Sequence, residues 1–360
     1  MQKTGSDDSG EPAQRRRSRR PTVQDVALRA EVSPMTVSRV LSGGKNVRPQ
    51  VRERVERAVA ELGYYRNENA RSLRQVDRSG LIGVIITNIA NPYYADMQQG
   101  IEEVATAHSW RILVGNSRED VALERQLVAD FIGWRVEGLI VVPADPGSSE
   151  HLAAETRSGV PIVLASRAVD DLDLDTVLID DIGGAFEATT RLLQEGHRRI
   201  AFLGNQGSLF TGRRRYQGFR QAHEAFKVEP VPELIRTGQQ DVRSAEMAML
   251  ELLKLTDPPT AVFSANNRNT IGAIRAIESV HRKSLSSGGP AAPAVRLFGF
   301  DSFEFADMSP VPLSIVAHDP RDLGRRVASL LFERIDGSVE GLQPRHIELP
   351  VILDEGSRSR

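Results

Sequence analysis

PTVQDVALRAEVSPMTVSRVLSGGKNVRPQVRERVERAVAELGYYR, residues 21–66, reads as three short helices with a tight turn between the first two. Thr22 followed by Asp25 has the form of a capping box, with an acid at the positive end of the first helix. Val23, Val26 and Ala27 then supply apolar residues at i, i+3 and i+4. The second helix starts with Ser33 as N-cap and Pro34 at the first helical position, where the missing N–H costs nothing. Val37, Val40 and Leu41 point inward, which leaves Met35, Thr36, Ser38 and Arg39 facing out. The third helix spans Pro49 to Leu62, with Val51, Val55, Ala58, Val59 and Leu62 on one face and Gly63 as the stop. A short, outward-polar second helix this close to the first is a helix-turn-helix in form, whose second helix enters the DNA major groove. A bare helical hairpin packed on a neighbour would not need the basic, amino-terminal setting.

Charge is divided unevenly around this segment. Residues 1–78 hold 17 Lys and Arg against 10 Asp and Glu, net +7, and the remainder 29 against 38, net −9. A basic amino-terminal module on an acidic body fits a nucleic-acid reader joined to something else. Residues 1–20, with RRRSRR at 15–20, read as a disordered basic arm: it attracts phosphate non-specifically or is a solvated tail. The 360 residues are enough for two or three domains. Cysteine is absent, which excludes disulfides, thiolate metal sites and a Cys nucleophile and suits a reducing cytoplasm. There is no run of 18 apolar residues and no apolar h-region at the amino terminus, so neither a membrane span nor an export signal is expected.

Residues 67–78, NENARSLRQVDR, are polar apart from Leu73 and read as a linker. From Leu81 the pattern changes to apolar runs alternating with amphipathic helices. LIGVIIT (81–87), RILVG (111–115), GLIVVP (138–143), IVLAS (162–166), TVLID (176–180), IAFLG (200–204), AVFSA (261–265) and VRLFGFD (295–301) are the strands. Helices are expected around 93–108, 119–134, 184–195, 213–226, 243–255 and 269–280. That alternation means a doubly wound parallel α/β core. These eight, of about ten strands expected over the core, exceed one compact unit, so two similar subdomains with a cleft between them are expected. Strand after strand ends in polar residues: Thr87-Asn88, Asn205, Asn266-Asn267, Asp301. In such sheets ligands bind at the carboxyl ends of strands.

The order of parts and the wording of VALRAEVSPMTVSRVLSG (26–43) and VRERVERAVAELGYYRNENARSL (51–73) resemble the LacI/GalR family of bacterial transcriptional regulators, over about residues 21–354. The resemblance implies a three-helix DNA-binding domain and hinge helix, then two doubly wound subdomains of the type I periplasmic-binding-protein kind. It divides the chain into an arm (1–20), helix-turn-helix (21–66), hinge (67–78) and core (79–356). The core would comprise one subdomain of about 79–176 and 320–346 and another of about 177–318 and 347–356. It places Pro34, Met35 and Arg39 where base edges are read. Arg39 can give two hydrogen bonds to guanine, whereas Met35 and Pro34 offer only apolar contact. Thr22, Thr36, Ser38 and Asn46 fall at or beside positions that touch phosphate or groove edges and set register. Leu73 would wedge into the minor groove at a central, easily unstacked step, with Ala70 small where two hinge helices meet and Asn67 at the backbone. Paired hinges imply at least a homodimer and a near-palindromic double-stranded operator. The expected setting is the cytoplasm, at the nucleoid.

For the core the resemblance implies an effector site. Tyr93 and Tyr94 in NIANPYYADM, Arg215 in GRRRYQGF, Asn266 ending AVFSAN and Asp301 ending LFGFD match ligand-contact positions. Arg and Asp can grip vicinal hydroxyls, Asn gives and takes, and a tyrosine face stacks on a sugar or base. Three positions depart from the family pattern: Asn267 where Asp is common, Gln240 where some members carry an aromatic, and His318 in VAHDP where Gln is common. His318 adds pH sensitivity, recognises an anionic group, or is a simple hydrogen-bond donor. The expected effector is sugar-like, and a co-repressor such as a nucleobase or a phosphoprotein is the alternative. No cofactor and no metal are expected, for the seven histidines lack ligand spacing. An enzyme is disfavoured by the absence of GxxxxGK[ST], GxSxG and HExxH, and an exported solute-binding protein by the helix-turn-helix. Leu73→Ala should weaken operator binding, followed by fluorescence anisotropy, while ligand affinity stays intact; unchanged operator affinity refutes the wedge.

Overall fold

The computed structural model describes residues 21–41, 43, 47–64, 78–205, 209–286, 294–338, 341 and 343–354. The arm at 1–20 and the expected DNA contacts Asn46, Asn67, Ala70 and Leu73 lie outside the described residues. The chain divides after Arg78 into two compact units.

In the first unit, helices α1 (Val23–Ala30), α2 (Pro34–Leu41) and α3 (Pro49–Leu62) form as the sequence dictates. The Thr22–Asp25 capping box is present: the Thr22 N–H donates to Asp25 Oδ2 at 2.7 Å, and the Asp25 N–H to Thr22 Oγ1 at 3.3 Å. The turn after α1 is made by Glu31 in the left-handed region, φ 53°, and α3 ends on Gly63 at φ 59°. The Thr36 N–H donates to Ser33 Oγ, so Ser33 caps α2. Val26, Ala27 and Ala30 pack with Val37, Val40, Val55, Ala58 and Tyr64 into one small core.

The second unit contains two six-stranded sheets with one repeated topology. The first runs β11-β5-β4-β3-β1-β2, from β1 (Leu81–Ile86), β2 (Arg111–Asn116), β3 (Leu139–Val141), β4 (Ile162–Ala165), β5 (Asp175–Ile179) and β11 (His346–Leu349), all parallel. The second runs β12-β10-β9-β8-β6-β7, from β6 (Ile200–Leu203), β7 (Ile235–Arg236), β8 (Ala261–Ser264), β9 (Arg296–Phe300), β10 (Leu313–Ala317) and β12 (Ile352–Asp354), with only β12 antiparallel. Helices α4 (Pro92–Ala107), α5 (Val121–Gly133), α6 (Glu150–Arg157) and α11 (Pro320–Ile335) serve the first sheet, and α7 (Asp181–Gln194), α8 (Phe210–Ala225), α9 (Val242–Leu252) and α10 (Asn267–Ser286) the second. β4, β6 and β8 are buried along their whole length, as parallel strands covered on both faces must be.

Two boundaries differ from expectation. The subdomain border expected at 176/177 falls inside β5, whose Val177 pairs with both Ala165 and Ile347, so the chain leaves the first sheet only after Ile179. The second border, expected at 346/347, moves past Leu349 because β11 completes that same ladder. The helix expected from Gly184 begins at Asp181, with the Asp180 side chain accepting the Gly183 N–H. Asp180, expected as the last residue of a strand, is therefore the N-cap of α7, and Asp181 its first residue.

Close helix packing relies on glycine. A Cβ on Gly324 (α11) would collide with the Met97 carbonyl of α4, and one on Gly100 (α4) with the Arg321 carbonyl of α11. Gly218 of α8 meets Ile182 of α7 in the same way, and Gly272 of α10 meets Val242 of α9. Gly324→Ala should therefore destabilise the core by about 1–3 kcal/mol through overpacking, a loss of roughly 2–4 °C per kcal/mol in melting temperature. An unchanged melting curve would show that the pair separates freely.

Candidate functional site

Two surfaces carry the residues singled out in the sequence. On the first unit, Pro34, Met35, Ser38 and Arg39 share the outer face of α2, as their i, i+4 spacing requires. Met35 is 72% exposed, far beyond what packing of a helical hairpin needs. Thr36 is half-buried, its hydroxyl 2.9 Å from Ser33 Oγ, and Thr22 is committed to the cap of α1. The helix thus presents one guanidinium, one hydroxyl and two apolar groups on a rigid scaffold.

On the second unit, the carboxyl ends of both sheets face one cleft. Each sheet reverses strand order between its first and third strands, β1/β3 and β6/β8, the switch points where doubly wound sheets take ligands. Arg215, 5% exposed, is the hub. Its Nε donates to Asp181 Oδ1 at 2.8 Å, Nη1 to the Ala265 carbonyl at 2.6 Å and to Asp301 Oδ2 at 2.9 Å, and Nη2 to Asp301 Oδ1 at 3.2 Å. The guanidinium stacks over the Phe300 ring, 3.7 Å from its centroid. His318 Nε2 lies 3.2 Å from Asp301 Oδ1, so His318 acts on Asp301 as a hydrogen-bond donor. Burial pushes the Asp301 carboxyl up, but Arg215 and His318 outweigh it and hold the group at about 2. For Asp181, burial prevails over Arg215 and its pKa is raised.

The tyrosines are fixed by the first sheet. Tyr93 Oη is 2.7 Å from Ser166 Oγ, and Tyr94 Oη 2.7 Å from Thr87 Oγ1. The rings meet edge to face at 5.1 Å, and Tyr93 meets His318 at 5.5 Å. Burial raises both hydroxyl pKa values, helped at Tyr93 by Asp301, so both remain neutral. Asn266 donates to Asn205 Oδ1 and accepts the Asn269 N–H. Across the cleft, Asn91 and Asn267 exchange amide hydrogen bonds of 3.4 and 2.9 Å. The departure at Asn267 is thus explained: a carboxylate there could accept from Asn91 but could not return the bond.

Tyr93, Tyr94, Arg215, Asn266 and Asp301 line one chamber of about 90 Å³, and His318 stands behind Asp301. A second chamber of about 520 Å³ shares Asn88, Glu119, Asn205 and Gln240 with it and adds Asn116, Arg118 and Asp145. Arg167 forms a bidentate pair with Glu119 at 2.6 and 2.9 Å. Sequence reading missed Asp181, Asn91, Asn116, Glu119, Asp145, Ser166 and Arg167. Their signal was position: Asn116 ends β2, and the others lie shortly after a strand or beside the start of a helix. Among the described residues no cluster of three or more His, Cys, Asp or Glu could hold a metal, and no helix is long and apolar enough to cross a membrane.

Residues 22–67 match the model of bacterial regulatory proteins of the lacI family, and residues 79–354 that of periplasmic binding proteins and the sugar-binding domain of the LacI family. The chain belongs to the LacI family: it is a DNA-binding transcriptional regulator with a ligand-binding core. It is 28% identical to the HTH-type transcriptional repressor CytR of Escherichia coli (strain K12), over 94% of this chain and 96% of CytR. Among solved structures it resembles a lac repressor dimer bound to operator and the anti-inducer ONPF (26% identity, 93% of this chain and 98% of that one, TM-score 0.74). It also resembles a complex of the regulator CelR with cellobiose (29% identity, 93% and 98%, TM-score 0.67).

Arg215→Ala should cost about 3–5 kcal/mol at neutral pH, because two buried carboxylates lose their main partner, leaving Asp301 with His318 and Asp181 with Arg214 at 3.7 Å. The sign with pH follows from linkage. Wild-type Asp301 contributes stability above its unfolded value of about 3.9, and that contribution is lost as pH falls toward about 2. In the variant both carboxyls are raised by burial, so their penalty fades as acid protonates them. The gap between the two melting temperatures should therefore narrow from pH 7 to pH 3, and a constant gap would contradict the hub.

Proposed function

We propose that this chain is a repressor that binds a near-palindromic operator as a homodimer and is controlled by a sugar or sugar derivative in the cleft of its core. The observation that carries the reading is the joining, in one chain, of an outward polar α2 to a cleft at the switch points of two sheets. The solved lac repressor is a dimer on operator, and CelR is solved with cellobiose. Arg39 reads a guanine, Met35 and Pro34 make apolar base contacts, and Thr22, Thr36 and Ser38 set register on phosphates. Asn46 and Asn67 add backbone contacts, while Leu73 wedges where paired hinges meet at Ala70. In the core, Arg215, Asp301, Asn266, Tyr93 and Tyr94 form the effector site, with His318 bracing Asp301. The effector binds one relative setting of the two subdomains better than the other and thereby changes operator affinity, as an inducer or as a co-repressor. DNA must change effector affinity by the same factor. The regulator works in the cytoplasm, on nucleoid DNA.

The test is selection of binding duplexes from a random library by the full chain, followed by anisotropy. Enrichment of a two-fold symmetric site is expected, with affinity falling steeply as salt rises. Arg39→Ala should cost about 1–3 kcal/mol and relax preference at one symmetric base pair. Failure to enrich any duplex would sink the reading.

A further inference from the structure

Two subdomains that face each other across a cleft part freely unless something holds them, and the side-chain contacts that cross this cleft differ in what they can hold. Arg213 of α8 donates to Asp170, beyond β4, at 3.3 Å, but both side chains are about half exposed, and such pairs contribute little. Arg214 pairs with Glu348 of β11, and Tyr93 meets His318, which follows β10. The chain passes between the sheets at those strands, so the subdomains move least there. Asn91 and Asn267 stand farther out. Counting β11 and β12 as first in their sheets, Asn91 follows the fifth strand, β1, and Asn267 follows the fourth, β8.

Asn91 is the N-cap of α4, and its Oδ1 accepts the Tyr93 N–H at 3.3 Å. The same Oδ1 accepts from Asn267 Nδ2 at 2.9 Å, and Asn91 Nδ2 donates to Asn267 Oδ1 at 3.4 Å. Asn267 is 3% exposed and is the first residue of α10, where the Asn269 N–H is capped by the Asn266 side chain. Capping asks only for an acceptor, and a carboxylate serves a positive helix end at least as well as an amide. The NH2 group of each residue therefore does nothing for its own helix and is used across the cleft. Asn91, Asn266 and Arg268 line the smaller chamber, so the contact stands at its wall. In this setting the chamber holds about 90 Å³, well below the about 300–1,000 Å³ of ordinary small-molecule sites. A larger occupant gains room beside Arg215 only as the subdomains part.

Resting on the regulator reading above, we propose that the Asn91–Asn267 pair is a clasp. It holds the two subdomains closed by direct contact, makes the closed setting the resting one, and so sets the operator affinity of the chain before any effector binds. Two hydrogen bonds of this kind bias a closed–open equilibrium by on the order of ten-fold or more. An operator that prefers one setting is bound in proportion to the population of that setting. Breaking the clasp therefore changes operator affinity whichever setting the DNA prefers.

The test uses Asn91→Asp and Asn267→Asp, alone and together, in the full chain. Either alone keeps an acceptor at its helix start and one bond of the pair. Together they set two carboxylates against each other with no donor between them, while the cap of α4 survives. Asn267→Ala, which removes both bonds and no cap, is a second way to break the clasp. The setting is read by electron-spin distance measurement between labels at Ile89→Cys and Thr237→Cys, exposed positions on the two subdomains, with labelled chain diluted in unlabelled chain. The chain has no cysteine of its own, so these are its only thiols. Each single Asp variant should keep the short distance of the parent, and the double variant and Asn267→Ala should shift to a longer one. Affinity for the selected duplex should change about ten-fold in the double variant and far less in each single one, the non-additivity of a direct pair. A long distance already in the parent, an unchanged distance in the double variant, or additive effects would overturn the clasp. A longer distance with unchanged duplex affinity would overturn its regulatory role. If the parent chain selects no duplex, the regulator reading fails, and the distances alone still decide whether the pair holds the subdomains closed.

Discussion

One guanidinium organises the core. Arg215 comes from α8, and its four hydrogen bonds reach acceptors on α7 (Asp181), after β8 (Ala265) and after β9 (Asp301, two). Taking a charge this far from water is expensive, and the cost is met only if every partner is in place. The planar fork of arginine suits that demand as a lysine ammonium would not. The cleft floor is thus assembled from the second sheet and its helices before any ligand arrives. Asp301 stays ionised because of it, His318 is oriented by Asp301, and Tyr93 packs against His318.

The amino-terminal unit rests on different physics. Its core is eight buried residues, mostly valine and alanine, so helix termini carry a larger share of its stability. The capping box at Thr22, Pro34 and Pro49 at first helical positions and Gly63 at a stop are each local devices. Such a unit can leave Met35 and Arg39 to the solvent because nothing in its core asks for them.

This contrast explains what could be read from the sequence alone. Local signals placed the starts of α1 to α3 and the stop of α3 at Gly63, since caps and periodicity act within a few positions. The buried strands were equally plain, because both faces must be apolar. The last elements, β10, α11, β11 and β12, were not separated: β11 and β12 are short, half-exposed edge strands whose pattern only the neighbouring ladder defines. In the site, Arg215 and Asp301 were legible through the family resemblance and the strand ends. Asp181 was not, because its role depends on a residue 34 positions away. Asn91 likewise acquires meaning only from Asn267, 176 positions on, across the cleft. The size and polarity of the larger chamber belong to no segment, for its walls come from both sheets.

The order of the strands sets a lever. The chain crosses between the sheets after β5, after β10 and between β11 and β12, and these four strands stand together at one edge of the pair. That edge is the spine of a book, and β2 and β7 are the fore-edges of its two leaves. At about 4.8 Å per strand, β2 lies roughly 19 Å from β5. Rotation about the spine therefore hardly disturbs Ile179 and Asp301 but swings Asn116, at the end of β2, and Gln240, beyond β7, through the longest arc. Contacts near the spine provide grip, and contacts at the fore-edge provide torque. A molecule long enough to reach both would turn binding at the floor into angular displacement, whereas one that stopped short would be held without moving anything.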